Sequence, residues 1–129
     1  MPGQPEGSPV RLGATVAEVK RALNTSAEPA RGEPPAAELA LQLDARGVWV
    51  FFDKADLVRT VRLRAPYPEP VLGVRIGDRI ERLLAKLGAP YTKTLASGQT
   101  GYTYHPDGIT ILTFMVNPDN RVDAIFVVR

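Results

Sequence analysis

The rarest reactive side chain of the chain is His105, its single histidine. It stands between Tyr104 and the turn Pro106-Asp107-Gly108, so Asp107 is the carboxylate close enough in sequence to orient it as a general base. The alternative, which we adopt, is a histidine at the end of a strand beside a hairpin. A zinc centre needs further nitrogen or sulfur ligands, and the chain contains no cysteine. Asp53, Asp56, Asp119 and Asp123 gather near two turns and raise the question of calcium. Asp and Asn are frequent in turns because their side chains bond the local backbone, and no calcium loop ending in glutamate follows. Gly98-Gln99-Thr100-Gly101 lacks the Lys-Ser/Thr of a phosphate loop and reads as a flexible hairpin or lid. Ser8, Ser26 and Ser97 lie in loop-like segments with no histidine in a recognisable motif. These residues predict no catalytic group, no metal and no cofactor.

Residues suited to binding are more prominent. Strand alternation places Val48, Val50 and Phe52 on one face and Trp49 and Phe51 on the other, so large apolar groups occupy both. Among the nearby cations Lys54, Arg59, Arg62 and Arg64, the last two share one strand face and Arg59 takes the other. Trp, Tyr and Arg dominate binding energies because they bury much area while keeping a polar handle. The expected partner-binding set is therefore Trp49, Phe51, Tyr102 and Tyr104, with Arg59 and Arg62 at the rim. In the competing account Trp49 fills the seam between two halves of the molecule and serves stability alone.

Those halves follow from self-similarity. Val10-Arg11-Leu12-Gly13 recurs as Val74-Arg75-Ile76-Gly77, an offset of 64. The same offset pairs Val16 with Ile80, Val19 with Leu83 and Leu23 with Leu87, which is the spacing of one buried helix face. Thr15 with Glu18 and Asp78 with Glu81 predict capping boxes, and Asn24 and Gly88 stand where each helix should end. Polar passages at 25–36 and 89–101 read as loops. Strands are predicted over 39–43, 48–52 and 57–63 in the first half, and over 102–105, 109–116 and 122–128 in the second. The turn Ala45-Arg46-Gly47 answers Pro106-Asp107-Gly108 at an offset of 61. The expected fold class is α+β: two tandem copies of a helix plus a three-stranded antiparallel meander, related by a pseudo-twofold, with the helices on one sheet face. The expected division is a disordered tail at 1–9, repeat 1 at 10–64, a Pro-rich semi-rigid linker at 65–73 and repeat 2 at 74–129.

The frame Gly13-Ala14-Thr15-Val16-Ala17-Glu18-Val19, and Gly77-Asp78 through Leu83 to Leu87-Gly88-Ala89-Pro90, resembles the opening of the SmpA/OmlA-like fold. Tyr102, Tyr104, Gly108, Phe114, Val122 and Ile125 are similar to the later strands of that fold. The superfamily includes outer-membrane assembly lipoproteins and, as a tandem duplication, the β-lactamase inhibitor protein. The stretch from Gly47-Val48-Trp49-Val50-Phe51-Phe52-Asp53 through Pro70 and Gly77 to Pro90 also resembles bacterial toxin-immunity proteins. What the resemblance implies is a non-catalytic protein-binding module, an inhibitor or immunity protein occluding a toxin or enzyme. The alternative is an envelope or complex-assembly adaptor, and a small enzyme ranks third. With no cysteine there is neither a lipobox nor a disulfide.

Composition narrows the partners. Residues 1–64 hold nine basic and eight acidic side chains and residues 65–129 hold seven and six, so each half carries +1 of the total +2. No basic stripe of the kind that binds nucleic acid is present. No apolar run reaches the length of a membrane-spanning helix. The expected partner is another protein, with no nucleic acid and no membrane insertion, bound by a monomer or homodimer. The expected compartment is the cytoplasm if Met1 is the native start and the periplasm if a signal peptide was removed.

Overall fold

A computed structural model describes residues 2–33 and 38–129. In chain order these form α1 (Val16–Ala22), β1 (Ala30–Arg31), β2 (Leu39–Leu43), β3 (Val48–Phe52), β4 (Val58–Arg64), α2 (Ile80–Leu87), β5 (Thr92–Ala96), β6 (Gln99–Tyr104), β7 (Ile111–Val116) and β8 (Val122–Val128). All strands pair antiparallel in one eight-stranded sheet, ordered β1-β2-β3-β4-β8-β7-β6-β5.

That sheet corrects the expected α+β class of two helix-plus-three-strand copies. Among the described residues α-helix is confined to 7 and 8 residues, each half contributes four strands, and the fold is predominantly β. The missing strands lay in the passages read as loops, of which residues 34–36 fall outside the described residues. β1 and β5 are the two edges of the sheet, and every residue of β5 is exposed, so no alternation of apolar and polar side chains marks it. Ser97 and Gly98, at φ 52° and 78°, make the tight turn that joins β5 to β6. The expected lid is that hairpin.

The two halves meet where β4 pairs with β8. Arg62 stands opposite Phe126, 64 positions away, so a local twofold axis passes between them, normal to the sheet. The offset recurs in the backbone bonding. Gly13 N donates to Val58 O at 2.8 Å and Gly77 N to Val122 O at 2.7 Å. Asp53 Oδ1 accepts from the amides of Ala55 and Leu57, as Asn117 Oδ1 does from those of Asp119 and Arg121. Asp53 thus bonds its local turn backbone, whereas Asp56 pairs with Arg31 at 3.7 Å and Asp123 accepts from the Gln99 side chain. A register shift follows Phe51 in β3 and Met115 in β7, making Arg59 and Asp123 the extra residues of matching bulges.

Both helices contribute to one core. Val19 and Leu83 are wholly buried, Leu23 is buried and Leu87 half-buried, against Val50, Val61, Leu63, Phe114, Ile125 and Val127 of the sheet. Only α1 has a capping box: Glu18 N donates to Thr15 Oγ1 at 3.2 Å and Thr15 N to Glu18 Oε1 at 3.0 Å. In α2 the cap position falls on Arg79, which offers no acceptor, and Asp78 Oδ2 instead accepts from Arg75 N at 2.8 Å. The predicted second box is therefore not formed. Asn24 and Gly88 adopt positive φ at the helix ends.

Residues 2–9, expected as a tail, pack against the segment expected as a spacer. The Tyr67 hydroxyl donates to Gly7 O, Leu72 N donates to Glu6 O at 2.9 Å, and Ser8 and Val71 are buried. A Cβ on Gly7, at φ 94°, would stand 1.8 Å from the Pro70 carbonyl oxygen, so only glycine fits that approach. Burial first, and Glu69 second, push the Tyr67 hydroxyl up to about 12.

Candidate functional site

The sheet face opposite the helices bears half-exposed side chains, and the strand register settles who lies beside whom. Trp49 of β3 stands between Gln42 of β2 and Arg62 of β4, and Arg62 faces Phe126 of β8, which faces Thr113 of β7. Phe51 lies on the same face, its ring 5.9 Å from the indole and tilted by 56°. The Arg62 guanidinium lies 4.4 Å from the centre of the Trp49 ring, a cation over an aromatic face. The indole Nε1 donates to Asp44, which is held by the short 3₁₀ turn Asp44–Arg46. Gly47 closes that turn at φ 71°, where a Cβ would meet the Arg64 carbonyl oxygen at 2.0 Å. The tight turn therefore sets both the Asp44 carboxylate and the start of β3 against β4.

A groove of ≈ 370 Å³ opens here, walled by Asp44, Trp49, Arg62, Arg64 and Asp123. A second hollow of ≈ 310 Å³ shares Arg62, Arg64 and Asp123 and extends over Phe126 and Met115 towards the β5–β6 hairpin. Gln99 Nε2 donates to Asp123 Oδ2 at 2.7 Å. Burial pushes the Arg62 guanidinium below its ordinary value, the Arg64 charge adds to that, and Asp44 opposes it. Among the described residues neither Arg62 nor Arg64 forms an ion pair.

Of the six residues expected to form a partner surface, the structure brings together Trp49, Phe51 and Arg62. Trp49 lies one strand away from the β4–β8 seam and on the face without helices, so it does not fill that seam. Arg59 occupies the bulge, where its guanidinium pairs with Glu38 at 2.8 Å. Tyr102 and Tyr104 turn to the opposite face. Tyr102 stands opposite Phe114 in the register, and the Tyr104 ring is buried edge-on to Phe114, its hydroxyl donating to Gly88 O at 3.0 Å. Their grouping with Trp49 is corrected, and the repeat contained the signal. At the offset of 61 carried by the hairpin turns, Tyr102 and Tyr104 match Leu41 and Leu43, which belong to the helix-side face. Arg64, Asp44 and Phe126 were not in the expected set, although Arg64 shares the face of Arg62 by strand parity and Phe126 stands 64 positions from Arg62.

The chemistry around His105 is of another kind. His105 is exposed and meets the Tyr91 ring edge-on at 4.6 Å. The carboxylate of Asp107 is taken up by the amides of Gly3, Ile109 and Thr110 and by the Thr110 hydroxyl. These bonds, Gly3 foremost, hold its pKa at about 2. Asp107 is thus a tether for the N-terminal segment and a turn cap. Among the described residues, no three His, Cys, Asp or Glu side chains gather to hold a metal ion. Among them, too, no helix is long and apolar enough to cross a membrane.

No family model matches the chain, and no curated protein matches it. A solved structure does: the crystal structure of a DUF4309 family protein, YjgB, from Bacillus subtilis superposes with a TM-score of 0.61. The match covers 88% of this chain and 77% of that one at 18% identity, which is a likeness of fold.

Proposed function

We propose that the protein is a non-catalytic binding module that occludes a partner protein, in the manner of an inhibitor or immunity protein, through the sheet face around Trp49. One observation carries this reading: the sole tryptophan of the chain is half-exposed on a sheet face that no helix of the described residues covers, beneath an arginine that forms no ion pair among the described residues. A tryptophan needed only for the core belongs on the other face, where Val48, Val50 and Phe52 already lie. A broad strand surface with aromatic groups at its centre and polar groups at its edge is the usual form of an energetic hot spot. The resemblance of the repeat frame to the SmpA/OmlA-like fold, with its inhibitor member, and to toxin-immunity proteins points the same way.

The test is comparative. Wild-type and Trp49→Ala protein are immobilised side by side and exposed to extract of native host cells. Any protein retained by the wild type alone is purified and titrated against both forms. The expected result is a loss of about 2 kcal/mol or more, about 30-fold in affinity, with the urea unfolding midpoint almost unmoved. Equal affinity of the two forms would overturn the proposal. So would a Trp49→Ala protein that has lost several kcal/mol of stability, because the indole would then be a packing residue.

A further inference from the structure

The groove beside Trp49 contains a charge arrangement that says what it receives. Arg62 and Arg64 point to one sheet face from alternate positions of β4, about 7 Å apart along the strand. Arg62 is half-buried, its guanidinium 4.4 Å from the centre of the indole ring. Each arginine borders both hollows. The acidic groups nearby are already engaged, Asp44 by the Trp49 indole and Asp123 by the Gln99 amide at 2.7 Å. Among the described residues no carboxylate forms an ion pair with Arg62 or Arg64, and the Asp44 charge offsets the burial of Arg62 only in part. An incoming anion relieves that arrangement, and a guanidinium's paired donors favour a carboxylate in particular.

Resting on the partner-binding reading above, we infer that this groove receives a single Asp or Glu carboxylate of the partner protein, seated between Arg62 and Arg64, with an apolar neighbour laid over Trp49 and Phe126. The flanking carboxylates limit the guest to one negative charge. A nucleic-acid strand would bring a regular row of phosphates past Asp44 and Asp123, which repel it, whereas a lone side-chain carboxylate passes between them. The apolar floor of Phe126 and Met115 gives the rest of the segment a surface that a polyphosphate cannot use.

Because the chain has one tryptophan, its fluorescence reports from the site itself. The probes are a peptide blocked at both ends with Leu-Glu-Leu at its centre, the same peptide with Leu-Gln-Leu, and a thymidine oligonucleotide. The Glu peptide should shift the Trp49 emission saturably, and the Gln peptide should bind at least about tenfold more weakly. Arg64→Gln should reduce Glu-peptide affinity by a similar factor and erase the difference between the peptides. Arg64→Lys should restore part of it. Arg64 is exposed, so these variants are expected to fold, and urea unfolding followed by the same fluorescence verifies it. Equal binding of the Glu and Gln peptides would overturn the carboxylate inference while leaving the face a docking surface. Failure of both peptides at millimolar concentration would overturn it too, the partner-binding reading then standing or falling on Trp49→Ala. Tighter binding of the oligonucleotide than of the Glu peptide would reassign the groove to polyanions and sink the inference.

Discussion

On the helix-bearing face, Val50 and Phe114, Val61 and Ile125, and Leu63 and Val127 stand 64 positions apart, and all six are buried. On the other face the same offset sets Trp49 against Thr113, Phe51 against Met115 and Arg62 against Phe126. Burial asks only that matched positions be apolar and fill the space, so the two halves can use different residues to the same end. The uncovered face is under no such demand, and there the halves part company: the first gathers an indole, a guanidinium and a turn carboxylate where the second offers threonine, phenylalanine and methionine. The hairpin loops diverge in the same way. Arg46 donates to the Leu23 carbonyl at the end of α1, whereas its counterpart Asp107 accepts from the N-terminal segment. The two halves thus share a core and differ in the surface they present on the uncovered face.

The core side of this comparison is tested most severely by Leu83→Ala. Leu83 is wholly buried, and its truncation should cost roughly 2–5 kcal/mol in urea unfolding. Leu87→Ala should cost visibly less because Leu87 is half-buried. Equal losses at the two sites would mean that α2 is rotated from its described orientation.

On the open face, Trp49→Thr installs the residue that the second half carries at the matching position. It should weaken partner binding by about 2 kcal/mol while changing stability by about 1 kcal/mol or less. Thr113→Ala should leave binding unchanged, and a comparable loss there would spread recognition over both halves.

The helix starts offer a smaller contrast. Thr15→Ala removes a formed capping box and should cost about 1 kcal/mol. Arg79→Ala removes no cap and should be close to neutral, and Arg79→Ser should be mildly stabilising by supplying the acceptor that α2 lacks. Thermal unfolding of the three variants separates these cases.

A further contrast between the loops is expected in acid. Asp107 is held at about 2 in the folded chain, below an unfolded value of about 4, so the unfolded state binds more protons between those limits. Its contribution is complete above about pH 4 and is lost as the pH falls through about 2. Urea midpoints of wild type and Asp107→Asn should therefore converge over that window, and a constant gap between them would assign the bonds of Asp107 no role in acid sensitivity.

Much of the architecture was legible one element at a time. Both helices appear where the apolar spacing places them, and β2, β3 and β8 have the predicted bounds. Edge strands were not legible, because β5 exposes every residue and no face of it is selected for apolarity. The site was half legible. Parity put Trp49, Phe51 and Arg62 together, but parity counts along one strand only. It could not say that Tyr102, four strands away from β3 in the sheet, sits in the register of Phe114 and hence on the opposite side.

What the sequence by itself determined is local and periodic: helix and strand positions, the positive-φ helix ends at Asn24 and Gly88, the Thr15 cap and the 64-residue offset. Each depends on residues within a few positions of one another or on a comparison of the chain with itself. What only the tertiary structure decided is how the halves join, that β4 meets β8 with Arg62 opposite Phe126. That pairing sets Arg62 and Arg64 beside Asp123, with no ion pair to either arginine and no helix over the Trp49 face among the described residues. These outcomes depend on strand register and on the burial of shared surface between segments 64 residues apart, and no local preference encodes either.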